Sequence, residues 1–558
     1  MVSCPGCGQS MRFDPGKGVL VCDYCDSQLN PGDASSGSQA LGYTEQTDTS
    51  LEGDMQALAS ESTPATISGT LYTCPQCGGE IFCDSDTAVT FCSYCGVSVE
   101  LQGRTVQMQA PSYVIPFKKT KDQCKELYKQ FIKKAMFAPN YLKEEGQLEK
   151  LRGIYMPYWV YELSYEGPVS FKGKKSYRRG DYIITDHYSL TSDMSIYYKG
   201  ASFDASSSFS DVYSEAIAPF NVQGSIDFSD VYLAGFYADT ADVKADVYEQ
   251  NAKNVVGSDV IAGMYKMYPE FARYNVSTSD NTMSQLLNVK DSKLAYFPVW
   301  FMSVRHNNRI SYAVINGETG KIAADVPIDY KKYLIGSLIL TIPLALILNL
   351  LFTPTPKVVG IVASIFALIG CLIASKELDL VYTRQHGFDD KGLMSTRDMT
   401  IPVQNTSGNS DSTKKEASTR SALGSIGGVL MFIGAIALYA AIEAEIAAPA
   451  GIGCILLVLG LILSGLSTAN KSKPKPATNQ VVFKRPFGEK IGTLWKSLAA
   501  MVIGIGVTLI NPYRDEIYYG CVLAVVVLVL LALFDIVKLH NELTTHLPRQ
   551  FNKRGGDE

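Results

Sequence analysis

Four Cys-x-x-Cys pairs near the start of the chain restrict its fold more than any other sequence feature. Fourteen residues separate the first pair from the second, and the third and fourth pairs repeat that spacing. Such pairs suit a metal held between two tight turns better than a disulfide framework. The sequence therefore predicts two metal sites with four thiolates each. The ligands are Cys4, Cys7, Cys22 and Cys25 for the first site, and Cys74, Cys77, Cys92 and Cys95 for the second.

The expected metal is Zn²⁺, with one structural ion in each site. Four thiolates complete a tetrahedral shell, so no coordination position remains for a reactive water. Such a site contributes to folding and not to hydrolysis. Redox thiols would need a surrounding βαβ pattern, which the sequence lacks, and iron in a rubredoxin-like shell is a further alternative. Two Cys4 zinc ribbons, at 1–30 and 71–104, are therefore expected in a reducing compartment.

The charge of the ribbons argues against nucleic acid as their partner. Residues 1–30 contain two basic and three acidic side chains, and residues 72–104 contain one basic and four acidic ones. Phosphate binding needs clustered Lys and Arg, so protein partners are the expectation. Between the ribbons, residues 31–70 contain no Lys or Arg and are rich in Ser, Gly, Thr and acid. This composition predicts a disordered acidic linker that lets the ribbons move apart.

Residues 111–330 combine α and β patterns and predict a soluble α+β domain. An amphipathic helix is expected over 121–136. The pattern Tyr-x-Pro-x-Trp occurs at 155–159 and again at 296–300, which predicts two equivalent strands in a pseudo-duplicated domain. Short antiparallel strands are expected over 169–236, and a hairpin over 310–324.

This domain offers no recognisable catalytic constellation. It contains only His187 and His306, and no phosphate-binding loop, nucleophile elbow or His-Glu-x-x-His motif. The sequence therefore predicts that the protein is not an enzyme.

Six apolar stretches predict an all-α transmembrane region at 331–540, followed by a tail at 541–558. Short links join them into three hairpins. The fifth stretch is the least secure, because its apolar part is shorter than the roughly 20 residues that cross a bilayer. The stretches cover 333–352, 358–375, 423–441, 450–466, 498–510 and 517–537.

Positive charge in the links predicts the orientation in the membrane. The long links, 376–422 and 467–496, carry seven Lys or Arg each, whereas each short link carries one or none. By the positive-inside rule the long links are cytosolic. Six spans then place both termini in the cytosol, which is also the reducing side that free thiolates need.

Several segments together resemble one family of bacterial membrane proteins. They are CPGCG at 4–8, CDYC at 22–25, IYMPYWVYELSYEG at 154–167, YFPVWF at 296–301, and the long segments at 114–139 and 315–329. Over residues 1–335 the chain resembles the TFIIB-type zinc-ribbon-containing membrane proteins. Some relatives are associated with phage-shock protein A, SPFH proteins and TPM-domain proteins. The resemblance implies recruitment of such partners to a membrane under envelope stress.

The function expected from these features is that of a non-enzymatic scaffold or adaptor in a bacterial inner membrane. Its cytosolic ribbons would recruit protein partners, and glycine-rich helix faces would permit a homo-oligomer. One alternative is a membrane-tethered nucleic-acid-binding regulator, which the acidic ribbons disfavour. Another is a transporter or channel component, which the scarcity of ionisable residues in the apolar stretches disfavours.

Overall fold

The structure is a computed structural model that describes residues 2–37, 66–83, 92–98, 102–269, 282–351, 356–396, 485–510 and 512–547. Three expectations lie wholly or largely outside these residues. They are the acidic linker predicted at 31–70, of which 38–65 lie outside, the predicted spans at 423–441 and 450–466, and the tail predicted at 541–558, of which 548–558 lie outside.

The first ribbon is a small three-stranded antiparallel sheet. Strands β1 (Arg12–Asp14), β2 (Val19–Val21) and β3 (Gln28–Leu29) follow one another in the sheet in chain order. A short helix, α1 (Pro31–Gly37), comes next, at the start of the predicted linker. The order therefore extends beyond the predicted ribbon boundary at residue 30.

The second ribbon belongs to the sheet of the soluble domain. Its strands are β4 (Thr66–Thr73), β5 (Glu80–Cys83) and β6 (Gln102–Gln109), and β4 lies between the other two. Strand β5 pairs with the domain strand β11 (Tyr237–Ala238) through Phe82 and Ala238. The expectation of a separate module at 71–104 therefore needs correction, because strand pairing makes this ribbon continuous with the domain.

The soluble domain is built around two long antiparallel hairpins. Its strands and helices, in chain order, are β7 (Tyr113–Val114), α2 (Lys121–Lys134), α3 (Glu145–Leu148), β8 (Arg152–Arg179), β9 (Tyr182–Asp204), α4 (Asp211–Ile217), β10 (Ile226–Asp227), β11, α5 (Glu249–Met267), α6 (Thr282–Leu286), β12 (Asn288–His306), β13 (Arg309–Asn316) and β14 (Ile322–Ala324). Helix α2 begins with a capping box between Thr120 and Gln123, which fixes its start.

The two Tyr-x-Pro-x-Trp segments pair with each other at the centre of the sheet. Strands β8 and β12 run antiparallel, with Pro157 opposite Tyr296 and Tyr155 opposite Pro298. On its outer edge β8 pairs first with the parallel β11 and then with the antiparallel β9. Strand β12 pairs in the same way with β7 and β13. The two halves of the domain therefore have the same strand pairing, and a local two-fold arrangement relates them.

The tryptophans of the two segments make matching hydrogen bonds. Trp159 donates from Nε1 to the Val243 carbonyl at 2.8 Å, and Trp300 donates to the Lys119 carbonyl at 2.9 Å. In each half the acceptor lies in the segment between the short parallel strand and its helix. Each indole thus links its strand to the segment that leads from the short parallel strand to the helix. These tryptophans therefore have a structural role.

The expectation of short strands throughout 169–236 is correct only in part. Strands β8 and β9 form one hairpin that extends to Asp204, and helix α4 follows. The run from 205 to 236 forms mainly turns and short helices because its buried residues no longer alternate. The predicted hairpin over 310–324 is confirmed as β13 and β14.

Three helices in the described residues are long and apolar enough to cross a membrane. They are Val358–Gln385, Gly488–Ile510 and Glu516–Leu543, which lie within α8 (Pro356–Gln385), α10 (Phe487–Ile510) and α11 (Asp515–Leu543). The first predicted span is helical as α7 (Tyr330–Leu351), which contains Pro343, but it is not among these three. The described residues therefore support a membrane protein with three such helices, and they do not support the count of six.

The membrane helices pack closely against one another and against the soluble domain. A Cβ on Gly504 of α10 would meet the Ser364 hydroxyl of α8, so this glycine allows the two backbones to approach. After α11, the backbones of His546 and Ile310 exchange two hydrogen bonds of 2.8 Å. Helix α9 (Lys391–Thr396) follows α8, and its first amide donates to Asp211 at 2.8 Å. These contacts join the helix ends directly to the domain that carries the ribbons.

Candidate metal centres

The first cysteine cluster brings all four predicted ligands together. The Sγ atoms of Cys4 and Cys25 lie 3.5 Å apart, as do those of Cys7 and Cys22. All four sulfur atoms lie within 4.8 Å of one another. The two pairs that are separated in sequence therefore form one compact thiol cluster.

The second cluster has the same arrangement. Cys74 and Cys95 are 3.7 Å apart at Sγ, and Cys77 and Cys92 are also 3.7 Å apart. The four sulfur atoms again lie within 4.8 Å of one another. Among the described residues, these are the two groups of Cys, His or carboxylate ligands that are close enough to share an ion.

One backbone pattern holds each Cys-x-x-Cys turn in place. The amide of the first cysteine donates to the carbonyl five residues later, and the amide four residues later donates back to that cysteine. The residue at this fourth position has a positive φ, which glycine adopts without strain. Glycine occupies it in three turns, and Asp26, with φ of 56°, occupies it in the remaining one. The three glycines are Gly8, Gly78 and Gly96.

The spacing of the thiols fits a tetrahedral metal shell. With metal–sulfur bonds of about 2.3 Å, a tetrahedron places its sulfur atoms about 3.8 Å apart. The measured distances of 3.5 and 3.7 Å are close to this value. Amide groups also point at the sulfurs, such as Gly6 N–H to Cys4 at 3.4 Å and Gly79 N–H to Cys77 at 3.5 Å. Both clusters are therefore compatible with one metal ion each.

In each cluster, the pKa values of the first two thiols are shifted in opposite directions, downward for Cys4 and Cys74 and upward for Cys7 and Cys77. Burial raises the pKa of the Cys4 thiol, but hydrogen bonds from the amides of Gly6 and Cys7 and with the thiols of Cys25 and Cys7 together lower it to about 6. In the second cluster, hydrogen bonding with Cys74 and then Cys77 raises the pKa of Cys92 far above its usual range. One thiolate therefore suppresses the ionisation of its neighbours, and a divalent cation would remove that conflict.

The two clusters differ in their exposure to solvent. Cys4 and Cys22 are buried in the first cluster, whereas Cys7 and Cys25 are exposed. All four cysteines of the second cluster are buried. The tyrosine before the last cysteine shows the largest contrast, because Tyr24 is 82% exposed and Tyr94, its counterpart, is 2% exposed.

The first ribbon packs on the soluble domain through its buried apolar residues, whereas Tyr24 is exposed. Its Met11, Phe13 and Leu20 belong to the same buried core as Phe236 of the domain. The Phe13 amide donates to the Ala234 carbonyl at 3.0 Å, and the Phe13 ring meets that of Tyr232 at 5.3 Å. The ribbon is therefore docked in this structure, although the sequence predicts that it moves freely.

The second ribbon is fixed by its tyrosine. The Tyr94 ring lies against Phe301 of β12, with 5.8 Å between the ring centroids. Burial and then the carboxylate of Asp239 raise the pKa of Tyr94 well above its usual value. Asp239 is itself buried and accepts hydrogen bonds from Ser206 Oγ at 2.5 Å and the Thr240 amide at 2.9 Å. Burial raises the pKa of Asp239 to about 7, with Ser206 acting in the opposite direction.

The sequence predicted every cluster ligand but not the residues that surround them. Asp239 and Ser206 lie far from the cysteines in sequence and carry no motif. Both lie among other Ser, Thr and Asp residues, so nothing in their sequence context singles them out. Cys83 and Cys124 are buried and belong to neither cluster.

Comparisons with known proteins give one informative match. The chain is 26% identical over 335 residues to the uncharacterized protein YdjG of Bacillus subtilis strain 168. The match covers 59% of this chain and 90% of YdjG. No protein-family model matches the chain, and no solved structure matches it either.

Proposed function

We propose that this protein is a membrane-anchored scaffold whose cytosolic zinc ribbons recruit other proteins. The observation that carries this proposal is the contrast between two equivalent tyrosines. Tyr94 is buried against the domain and holds the second ribbon, whereas Tyr24 projects from the first ribbon and is 82% exposed. Tyrosine is enriched among the residues that dominate protein interfaces. The outer turn of the first ribbon is therefore the surface that we assign to a partner.

The metal supports this role without taking part in chemistry. We propose Zn²⁺ in both clusters, because four thiolates in a tetrahedral shell are the usual structural zinc set. Cys4, Cys7, Cys22 and Cys25 would hold one ion, and Cys74, Cys77, Cys92 and Cys95 the other. Each ion would fix the turn that carries Tyr24 or Tyr94. A closed shell leaves no position for a substrate at the metal, which agrees with the non-enzymatic function that we propose.

Membrane topology completes the proposal. We place the protein in a bacterial cell membrane with six spans and both termini in the cytosol, on the strength of the charged links. The paired halves around β8 and β12 agree with a duplicated α+β domain. Partners related to phage-shock protein A, SPFH proteins or TPM-domain proteins follow from the family resemblance. Acidic ribbons make protein more suitable than nucleic acid as their ligand.

Capture from crosslinked membranes tests the assignment of Tyr24. Tyr24→Ser should remove most of the proteins that are captured with the intact chain, because it deletes an exposed aromatic side chain. Its zinc content should stay unchanged, since the tyrosine is not a ligand. Tyr24→Phe keeps the ring and should retain most of the capture.

Tyr268→Ser serves as the matched control, because Tyr268 is 50% exposed and lies just beyond α5, away from both clusters. It should capture the same proteins as the intact chain. If Tyr24→Ser also captures them with full zinc content, the first ribbon is not the recruiting surface and the proposal fails.

A further inference from the structure

The hairpin of β8 and β9 extends well beyond the body of the domain. Strand β12 ends its pairing with β8 at Asn288 opposite Ser164, yet β8 continues to Arg179 with β9 as its remaining partner. At about 3.3 Å per residue, these fifteen residues correspond to an arm of about 50 Å. A tight turn at Gly180 and Asp181 closes the arm.

The arm leads away from the ends of the membrane helices. At the other end of β12, His306 pairs with Arg309, the first residue of β13, and Arg309 donates to the Glu542 carbonyl at the end of α11 at 2.9 Å. Strand β8 begins next to that end, with Arg152 opposite Phe301, and runs in the opposite direction. The tip of the arm therefore lies at the far end of the strands from the helix ends.

Only the near half of the arm is covered by the domain. Val169 and Phe171 are buried in the core that includes Val256 and Met264 of α5. Beyond Phe171 nearly every side chain of the arm is exposed or half-buried. We call residues 172–188 the distal arm.

The distal arm carries a dense group of positive charges. Within eight residues of β8 there are five basic side chains, and within the described residues none of them forms an ion pair of 4 Å or less. The acidic residues of the distal arm are Asp181, at the turn, and Asp186, opposite Lys175. The other four cations face uncharged or histidine positions on β9. The five are Lys172, Lys174, Lys175, Arg178 and Arg179.

The cations occupy both faces of the two-stranded ribbon. Side chains alternate along a strand, so Lys172, Lys174 and Arg178 lie on one face. Lys175 and Arg179 lie on the other. A flat lipid surface or a protein patch would contact only one face of such a ribbon. A DNA major groove, about 12 Å wide, admits a two-stranded ribbon and presents phosphates on both walls.

We infer that the distal arm binds duplex DNA by entering a groove, with the cations of its two faces contacting the two phosphate backbones. Duplex RNA is a poorer fit because its major groove is narrow and deep. An acidic protein is also a poorer fit, since lysine is depleted from the centres of protein interfaces. At the tip, Tyr182 and Ile183 are 78% and 76% exposed and can contact bases or sugars. This surface is separate from the acidic ribbons.

Binding of a labelled DNA duplex to the full-length protein in phosphatidylcholine nanodiscs tests this inference. Fluorescence anisotropy should show binding whose logarithmic salt dependence has a slope of about −4, as expected for up to five phosphate contacts. The triple variant Lys172→Gln, Lys174→Gln, Arg178→Gln should reduce the magnitude of this slope by about 3 and weaken binding at least about tenfold. All three side chains lie outside the core, and zinc content should remain unchanged.

The matched control is Lys133→Gln, Lys134→Gln, Lys143→Gln, which makes the same change in net charge at exposed positions in and after α2. It should bind DNA within about twofold of the intact chain. The single variant Arg178→Gln should reduce the slope by about 1, which keeps the test open if the triple variant misfolds.

Three results would overturn the inference. The first is no binding of DNA at low salt by the intact chain. The second is an equal loss of binding by the two triple variants, which would point to bulk charge. The third is a larger loss of binding in the triple arm variant for phosphatidylglycerol vesicles or poly-glutamate than for DNA. That result would make a lipid surface or an acidic protein the ligand.

Discussion

The two ribbons share one local fold but differ in how far they are buried in the domain. Both have the same pair of turns and closely similar sulfur distances. The second ribbon is continuous with the central sheet and buries all four cysteines, whereas the first packs on one face and leaves Cys7 and Cys25 exposed. One copy has thus become part of the structural core, and the other keeps an open outer surface.

This difference shows that packing against the domain, and not the cysteine motif, decides how much surface a ribbon leaves exposed. A turn whose tyrosine is inserted beside Phe301 and Asp239 has no surface left for a partner. A turn whose tyrosine projects into solvent, as that of Tyr24 does, leaves this surface exposed. Loss of metal should therefore have unequal consequences at the two sites.

The largest expected effect is that of Cys92→Ser. Binding of structural zinc contributes about 10 to 16 kcal/mol to small zinc domains, which is comparable to the whole stability of a domain. Because the second site lies within the sheet, we expect the variant to lose one zinc and to unfold the soluble domain. Limited proteolysis of residues 66–330 in membranes should show rapid cleavage.

Cys22→Ser provides the comparison for that experiment. It should also lose one zinc, but proteolysis should be confined to the first ribbon, and membrane insertion should be unchanged. Equal resistance of the soluble domain in both variants would show that the second site is no more integrated than the first.

The buried carboxyl behind Tyr94 predicts a pH dependence specific to the second ribbon. Since burial raises the pKa of Asp239 to about 7, the folded protein holds this proton between about pH 4 and pH 7 while the unfolded chain releases it. The free energy of unfolding contributed by this group therefore decreases as pH rises through that window, by about 2 to 4 kcal/mol in all.

Asp239→Asn should remove that contribution, because an amide does not ionise and can still pair with Ser206 and Thr240. Thermal unfolding at pH 5 and pH 8 measures the difference between variant and intact chain. We expect the variant to gain stability relative to the intact chain as pH rises. A constant difference at both values would mean that Asp239 ionises normally in the folded protein.

Metal release should also separate the two sites. A chelator reaches thiolates through solvent, so the site with exposed Cys7 and Cys25 should release its ion at least about ten times faster. A colorimetric chelator should therefore show two phases of equal amplitude in the intact chain. In Cys22→Ser the fast phase should be missing, and loss of the slow phase instead would reverse the order of the sites.

The smallest expected effect is at the surface of the first ribbon. Arg12 and Asp23 form an ion pair of 2.7 Å in which both side chains are largely exposed. Exposed pairs contribute about 0 to 1 kcal/mol, so Arg12→Ala should leave zinc content intact and change thermal stability only slightly. A large loss of stability would show that this pair, and not the core around Phe13, holds the ribbon in place.

Local spacing was sufficient to predict which cysteines form each cluster, the start of α2 and the hairpin of β13 and β14. Each of these depends on residues that are close in sequence. The different solvent exposure of Tyr24 and Tyr94 could not be predicted in this way, because both occupy the same position of the same motif. Tyr94 is buried beside Phe301 and Asp239, which lie more than a hundred residues away in the sequence.

The length of the arm and the joining of the second ribbon to the central sheet were also not predicted from the sequence. Gly and Ser interrupt the pattern of β8 and β9, so the sequence predicts several short strands, whereas the two strands pair continuously as far as Arg179 and Tyr182. The joining of the second ribbon to the domain rests on the contact between Phe82 and Ala238. No periodic pattern near Cys74 predicts that contact.

Zinc stoichiometry of the purified full-length protein tests the central claim most directly. The claim is that both clusters are filled structural sites on one membrane-anchored body. Elemental analysis together with native mass spectrometry should find two zinc ions per chain, and one in Cys22→Ser. A chain that is folded and stable with no bound metal, or one that binds a single ion shared by both clusters, would contradict the account.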